Sequence, residues 1–382
     1  MAQTFDVCIR GAGVVGRTLA LLLARERLRV ALVAGSAPRA QSASAAPDVR
    51  AYALNAASRD LLQSVRAWPD PADATAVRRM EVHGDQDGAV TFDADRQGAE
   101  ALAWIVDVPA LESRLADAVR FQPQVEVVDA PVPAALTVVC EGRASRTREE
   151  FGVEFDVTPY GQHAIAGRLA CELPHGQVAR QWFLPDGILA FLPLGGAEGN
   201  SVAVVWSVSQ ESAPQCMGLD ADAFAQRLQE ASQNALGRLE VLGDRACWSL
   251  QQATARRWCG PLAEQPAKGP QRTWVLAGDA AHNVHPLAGQ GLNIGLADAQ
   301  ALARLLRERD YWRSIGDLRL LRQYERERKA ALLPLGMTMD GLQQLFMRRE
   351  GALQSLRNWG MKGFDLSGPF KDWVARRAMG VR

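Results

Sequence analysis

The chain opens on a short, mostly apolar run at residues 5–10, which reads as a strand. A glycine-rich turn follows, then a helical pattern over 17–27 and a β-branched run over 29–33. Apolar positions three and four apart mark one face of a helix, whereas short β-branched runs mark strands. The N-terminus is therefore one β-turn-α-β unit. Residues 34–47, rich in Ala, Ser and Pro, read as a loop. A helix is expected over 58–65, a Pro/Asp break over 68–74, and strands over 77–90 and at Phe92, around Gly84 and Gly88. Residues 109–119 predict a helix, 121–133 a Pro-punctuated, Val-rich stretch, and 136–140 a buried strand. From 153 to 208 short alternating strands are separated by Gly/Pro turns, among them 163–169, 181–184 and 201–206, so the middle third is β-rich. A helix over 221–236, an extended run over 248–258 and a buried strand over 273–277 follow. The last third is a Gly-rich loop, a helix over 292–309, and helix from 318 onwards.

Length and charge narrow the class. A chain of 382 residues predicts two or three domains. At 48% hydrophobic and 23% charged, it has the composition of a globular protein and not of a disordered, collagen-like or coiled-coil chain. Lys+Arg and Asp+Glu are equal at 43 each, which argues against a nucleic-acid binder, since such proteins need a basic surplus. Six cysteines without C-x-x-C spacing read as thiols of a reducing compartment. No apolar run approaches the roughly 18 residues of a membrane span. The expectation is a cytoplasmic protein. The balance is uneven, however: residues 343–382 hold eight basic and three acidic side chains, interleaved with Phe and Trp. A solvated, aromatic-packed helix accounts for this. So does docking on an anionic membrane surface, peripheral to the inner membrane, or on a partner in a biosynthetic complex.

The first chemical motif is Gly11-x-Gly13-x-x-Gly16, between a strand and a helix. The first glycine permits a tight turn, the second lets the backbone approach a pyrophosphate, and the third lets helix and strand pack closely. The helix N-terminus then offers free N–H groups and partial positive charge to phosphates. The acidic residue that usually ends the second strand and bonds a ribose is replaced by Ala34, with Ser36 nearby as a candidate substitute.

The second motif runs from Trp274 to Asp298 and contains Gly278-Asp279, His285-Pro286 and Gly289-Gln-Gly291-Leu292-Asn293. The string resembles the G-D…H-P-x-x-G-Q-G-x-N segment of FAD-dependent aromatic hydroxylases, the group that includes para-hydroxybenzoate hydroxylase. The chemistry agrees with the resemblance. The Asp279 carboxylate can accept hydrogen bonds from ribityl hydroxyls, and Gly289 and Gly291 clear side chains from the path of a flat ring. The helix from Leu292 directs its N-terminus at negative charge on a reduced flavin. In the family the proline matching Pro286 lies near the reactive flavin carbon. The resemblance thus makes His285 and Pro286 the flavin-proximal loop and Gly278, Asp279, Gly289, Gly291, Leu292 and Asn293 cofactor contacts. His282 and His285 have i, i+3 spacing, but no further ligands complete a metal set, and no metal is expected.

A third piece, Glu141-Gly142-x-x-Ser145-x-x-Arg148, resembles the family's D-G-x-x-S-x-x-R motif, which contacts the flavin pyrophosphate and helps with the nicotinamide cofactor. Glu141 stands where Asp is usual. Further segments, among them 48–54 with Arg50, 160–166, 181–194 and 324–329, resemble the ubiquinone-biosynthesis branch, in which Arg50 corresponds to an arginine near the FAD phosphates. Asp107-Val108-Pro109 departs from the family, which usually carries a polar or basic residue there.

The resemblance implies an α/β fold: a Rossmann-like FAD-binding domain with an inserted β-rich substrate domain and a C-terminal helical region. It divides the chain into 1–68, 101–150 and 268–335 for FAD, 69–100 and 151–267 for substrate, and 336–382 for the helical region. It implies NADPH or NADH as co-substrate, O2, and hydroxylation through a flavin C4a-hydroperoxide. The substrate it implies is a small aromatic one, a polyprenylated phenol of ubiquinone biosynthesis. No residue is marked as general base; Tyr160 and His163 lie in the β-rich middle. A hydroxylase of another aromatic metabolite and a non-catalytic FAD-fold scaffold subunit stay open as alternatives.

Overall fold

The computed structural model describes residues 5–34, 48–84, 88–265, 271–283 and 291–347, with side chains as far as Leu333. Strand β1 (Phe5–Arg10) leads into helix α1 (Val14–Arg25) and β2 (Val30–Val33). Next come β3 (Ala51–Leu54), α2 (Ala56–Ser64), β4 (Ala74–Val77), β5 (Arg79–His83), β6 (Ala89–Asp93), β7 (Ala103–Asp107) and α3 (Val108–Arg120). Then follow β8 (Val125–Val128), β9 (Ala134–Val139), α4 (Arg146–Glu150), β10 (Phe155–Cys171), β11 (Val178–Leu184), β12 (Gly187–Leu194) and β13 (Ser201–Ser209). After α5 (Ala213–Gly218) and α6 (Ala221–Ala231) come β14 (Leu239–Val241), β15 (Ala246–Ala255), β16 (Cys259–Pro261), β17 (Thr273–Leu276) and β18 (His282–Asn283). Helices α7 (Gly291–Arg307) and α8 (Leu318–Met347) end the described chain.

Three sheets form among the described residues. The first has the order β16-β17-β9-β1-β2-β8 and is parallel except for β16. Strands buried on both faces should be continuously apolar, and β2 and β17 are buried at every position. Helix α1 is apolar nearly all round because it lies between this sheet and helices α3 and α7. The chain leaves β1 for β2 on one side, while β9 pairs on the other. Such a reversal opens a crevice beyond the carboxyl ends of the strands.

The second sheet has nine strands in the order β18-β15-β10-β13-β12-β11-β5-β6, with β14 on β10. Its register fixes two faces, because successive side chains alternate. One carries Ile165, Val204, Trp206 and Val208, and packs against Phe224 and Leu228 of α6. The other carries Arg168, Ala203 and Ala179, and meets the third sheet, β3-β7-β4, through Ile105 and Val77. The strand expected over 163–169 is the middle of the 17-residue β10, whose pairing with β15 shifts between Pro159 and Gln162. Gly161 sits at that bulge with φ +67°. The strands expected over 77–90 and at Phe92 are β5, beside β11, and β6, beside β5, while β4 ends at Val77 and lies beside β7 in the third sheet.

Candidate active site

Three loops follow the carboxyl ends of neighbouring parallel strands: a first, Gly11 to Gly13, after β1; a second, Ala277 to Asp279, after β17; and a third, Cys140 to Ser145, after β9. Main-chain bonds align them. The Cys140 N–H donates to the Arg10 carbonyl at 2.7 Å and the Ala277 N–H to the Val139 carbonyl at 3.0 Å.

The glycines of the first loop have different jobs. Gly11 has φ +111°, and a Cβ there would stand 2.5 Å from the Cys140 oxygen. A Cβ on Gly16 would stand 1.9 Å from the Gly11 oxygen. Both contacts are with backbone that cannot move aside. A Cβ on Gly13 would meet nothing within 4 Å. Gly13 caps α1 without a side chain, so the first N–H groups of the helix face that open space.

The second loop turns through Gly278, φ +62°, and packs on α1: Cβ atoms built on Gly278 and Gly295 lie 3.4 and 2.9 Å from a Val15 methyl. Asp279 is exposed to solvent yet ringed by protein, so it sits in a recess. Burial pushes its carboxyl above the ordinary value, against the pull of His282 and Arg143. Its carboxylate makes no hydrogen bond to protein among the described residues. Tyr52 and Arg50 are near enough for their charges and that of Asp279 to act on one another. Burial raises the Tyr52 hydroxyl, which Arg50 opposes and the Asp279 charge reinforces. The Arg50 guanidinium pairs with Asp48 at 2.6 Å and donates to the Tyr52 hydroxyl at 3.4 Å. The hydrogen bond to Asp48 is the main reason that its pKa is raised.

The third loop is held by its own acid. Glu141 accepts from Ser145 Oγ at 2.8 Å, Thr147 Oγ1 at 2.5 Å and the Thr147 N–H at 3.1 Å, and pairs with Arg10 at 3.3 Å. Burial alone would raise its pKa, but these partners outweigh burial and hold it low. Ser145 caps α4. Arg148, 5% exposed, donates to the Ala280 carbonyl at 3.2 Å and lies 3.7 Å over the Phe155 ring. Its Nε is buried without a partner. Gly142 has φ +79° and open space where a Cβ would go.

The structure thus brings Gly11, Gly16, Glu141, Arg148, Gly278 and Asp279 into one cluster of touching loops, with Gly13 and Arg50 at its border. Leu292, half-buried, packs against the main core in the first turn of α7. Asn293, 5% exposed, tethers that turn inward: its Oδ1 accepts from the Asn55 N–H at 3.0 Å and Ser58 Oγ at 2.7 Å. Its Nδ2 donates to the Ala53 carbonyl at 2.8 Å. His285, Pro286, Gly289 and Ser36 lie outside the described residues, as do positions 348–382. Tyr160 donates to Gln252 Oε1 at 2.7 Å. His163 lines an open cleft of about 330 Å³ with Gln210, Ala213, Pro214, Met217 and Cys247. That cleft is on the sheet face opposite Arg168.

Sequence reasoning missed several members. Asp107 caps α3 and pairs with Arg168 at 2.5 Å, so the acid that departs from the family pattern anchors β10 to α3. Asp298, a lone carboxylate in the apolar run of α7, is fully buried against His282 and Arg328. An acid amid apolar and small helix residues was the available signal for it.

FAD fits the cluster on this structure's own terms. The open space above Gly13 and the uncapped helix start suit a pyrophosphate, and the recessed Asp279 suits ribityl hydroxyls. The comparisons agree. A profile of the FAD binding domain matches residues 110–333. Ubiquinone hydroxylase UbiL of Rhodospirillum rubrum is 30% identical over 98% of this chain and 90% of its own. The 3-demethoxyubiquinol 3-hydroxylase of Escherichia coli is 28% identical over 99% of both. The crystal structure of p-nitrophenol 4-monooxygenase PnpA from Pseudomonas putida superposes with a TM-score of 0.72 at 19% identity, over 99% of this chain and 97% of that one, a likeness of fold. The chain belongs to the FAD binding domain family, and within it to the FAD-dependent aromatic-ring monooxygenases of the ubiquinone-biosynthesis branch.

Proposed function

We propose that the protein hydroxylates the ring of a polyprenylated phenol on the way to ubiquinone. The contact among the three loops carries this reading, because together they would hold one FAD, and the end-to-end match to ubiquinone hydroxylases supports the substrate class. Bound FAD supplies the redox chemistry, taking electrons from NADH or NADPH and activating O2 for transfer of one oxygen atom to the ring.

The chain's own residues bind, orient and exclude water. Gly11, Gly13 and Gly16 would let the backbone approach the pyrophosphate, with Arg50 adding charge, and Asp279 would accept hydrogen bonds from the ribityl chain. Glu141, Gly142 and Arg148 fix the third loop against the second. Gly278, Gly291, Leu292 and Asn293 shape the turn and the helix start that would face the ring; Gly289, His285 and Pro286, between them in the sequence, are assigned to the flavin by the resemblance. On the Arg168 face of the nine-stranded sheet, Phe183, Ile188, Ala190 and Val205 are half-buried, an apolar surface suited to an aromatic ring and a prenyl tail.

In this reading residues 1–68, 101–150 and 268–335 form the FAD-binding unit, 69–100 and 151–267 face the substrate, and 336–382 form the helical region. No helix among the described residues is long and apolar enough to cross a membrane. A lipid-tailed substrate suits peripheral contact with the inner membrane through the basic, aromatic residues 343–382. Sedimentation with anionic liposomes should bring down the full chain more than a 1–342 truncation; equal binding removes that contact from the reading.

Quinone profiling of a strain lacking the gene tests the function. An accumulated, under-hydroxylated prenylphenol, cleared by the wild-type gene and not by Asp279→Ala, is the expected result. An unchanged quinone pool contradicts it.

A further inference from the structure

Behind the Gly278–Asp279 turn lies a closed group of charges that the cofactor reading leaves unused. Asp298 on α7 is 0% exposed, and both of its oxygens are occupied. Oδ2 accepts from the Gly278 N–H at 2.9 Å and pairs with His282 Nε2 at 2.6 Å. Oδ1 accepts from Arg328 Nε at 2.6 Å, and the same guanidinium donates to the Ile294 carbonyl at 3.4 Å. Burial would push the Asp298 carboxyl up; His282 and Arg328 outweigh it, so the group stays ionised. His282, 2% exposed, stacks on Trp258 with ring centroids 5.1 Å apart. Tyr324, fully buried, donates to the Leu276 carbonyl at 3.2 Å.

The turn from Leu276 to His282 is therefore gripped at a buried carbonyl, N–H and ring, while Asp279 within it stays exposed to solvent. A buried charge cluster is a weak source of stability, because removing charges from water offsets most of their attraction. Packed apolar side chains would hold two elements together as well. What directional bonds add is a single position for the turn.

We propose that Asp298 is a positioning residue for the cofactor site, acting through His282 and the Gly278 amide to hold the Asp279 carboxylate where a flavin meets it. The proposal rests on the reading that Asp279 faces the flavin. The bond from His282 to Asp298, and not the ring's bulk against Trp258, is the part that matters. Two substitutions separate these roles. His282→Phe keeps a ring to stack on Trp258 but cannot donate to Asp298. His282→Gln loses the ring but can still donate.

The test is FAD affinity of the apo-proteins, measured by quenching of flavin fluorescence, beside their thermal midpoints and the visible circular dichroism of bound flavin. His282→Phe should weaken FAD binding by about tenfold, the scale of one hydrogen bond to a charged group, with His282→Gln within about threefold of wild type. Asp298→Asn should match or exceed the loss in His282→Phe and alter the flavin dichroism. Equal affinities for the Phe and Gln variants, or a weaker Gln variant, overturn the proposal in favour of packing. A wild-type protein that does not bind FAD, or an Asp279→Ala variant that binds it as wild type does, overturns the cofactor reading and this proposal with it.

Discussion

Gly13 and Gly16 are three residues apart and chemically identical, yet the structure separates their functions. The Cβ of Gly16→Ala would fall 1.9 Å from the Gly11 oxygen. Its cost should be about 3 kcal/mol of stability, from overpacking against backbone. Gly13→Ala meets no atom within 4 Å and has φ −77°, which alanine adopts freely. It should lose no more than about 1 kcal/mol, the cap difference, while weakening FAD binding by occupying the pyrophosphate's approach. Denaturant melts and FAD titrations of the two apo-proteins should show this crossing of effects. Glu141 makes a prediction about acid. Its folded pKa is depressed, so its contribution is fully present above the unfolded value of about 4.3 and is lost as pH falls through the folded value. Glu141→Gln should therefore be less stable than wild type at neutral pH, with the gap closing in acid, as thermal melts across that range will show. The glycines were legible in the sequence because their work is done by backbone, which a motif records. Asn293 was legible as a motif member but not as a tether, because its partner Ser58 lies 235 residues away and no spacing rule links the two.

Among the elements, those with a chemical boundary were read best. The helix expected over 109–119 is α3, Val108–Arg120, fixed by the Asp107 cap and the proline in its first turn. Strand β10 was seen only over 163–169, because Pro159 and Gly161 look like breakers. In the structure they form a bulge that lets one strand of 17 residues keep pairing with β15. Gly161→Ala, at φ +67°, should cost about 1 kcal/mol in a denaturant melt. Strands β3 and β7 escaped notice because they are short and lack alternation; among the described residues β3 pairs with β7, and β7 also with β4. One side chain, Asn293 of α7, hydrogen-bonds to β3, to the Asn55 cap and to Ser58 of α2. Asn293→Ala should leave the Asn55 N–H and Ala53 carbonyl unpaired and destabilise the protein by about 2–3 kcal/mol, read as a shift in the urea midpoint.

At the scale of the whole molecule, the β-rich middle and the N-terminal β-turn-α-β unit were foreseeable from periodicity, and the rest of the Rossmann-like first sheet only from the family resemblance. Their joint was not. Arg168 of β10 reaches Asp107 and the Asp48 carbonyl, residues of distant segments that no local pattern connects. If the recess between the loops is the flavin site, FAD at a hundred times its dissociation constant should add about 2.7 kcal/mol of stability, visible as a raised thermal midpoint that Asp279→Ala diminishes. The most direct measurement joins site and chemistry. Purified, FAD-loaded protein is given NADH or NADPH, a short-chain prenylphenol and isotopically heavy O2, and the ring product is examined by mass spectrometry. One heavy oxygen on the ring, absent without flavin, is the expected result; an unlabelled ring with the nicotinamide oxidised contradicts the assignment of this chain as a ring hydroxylase.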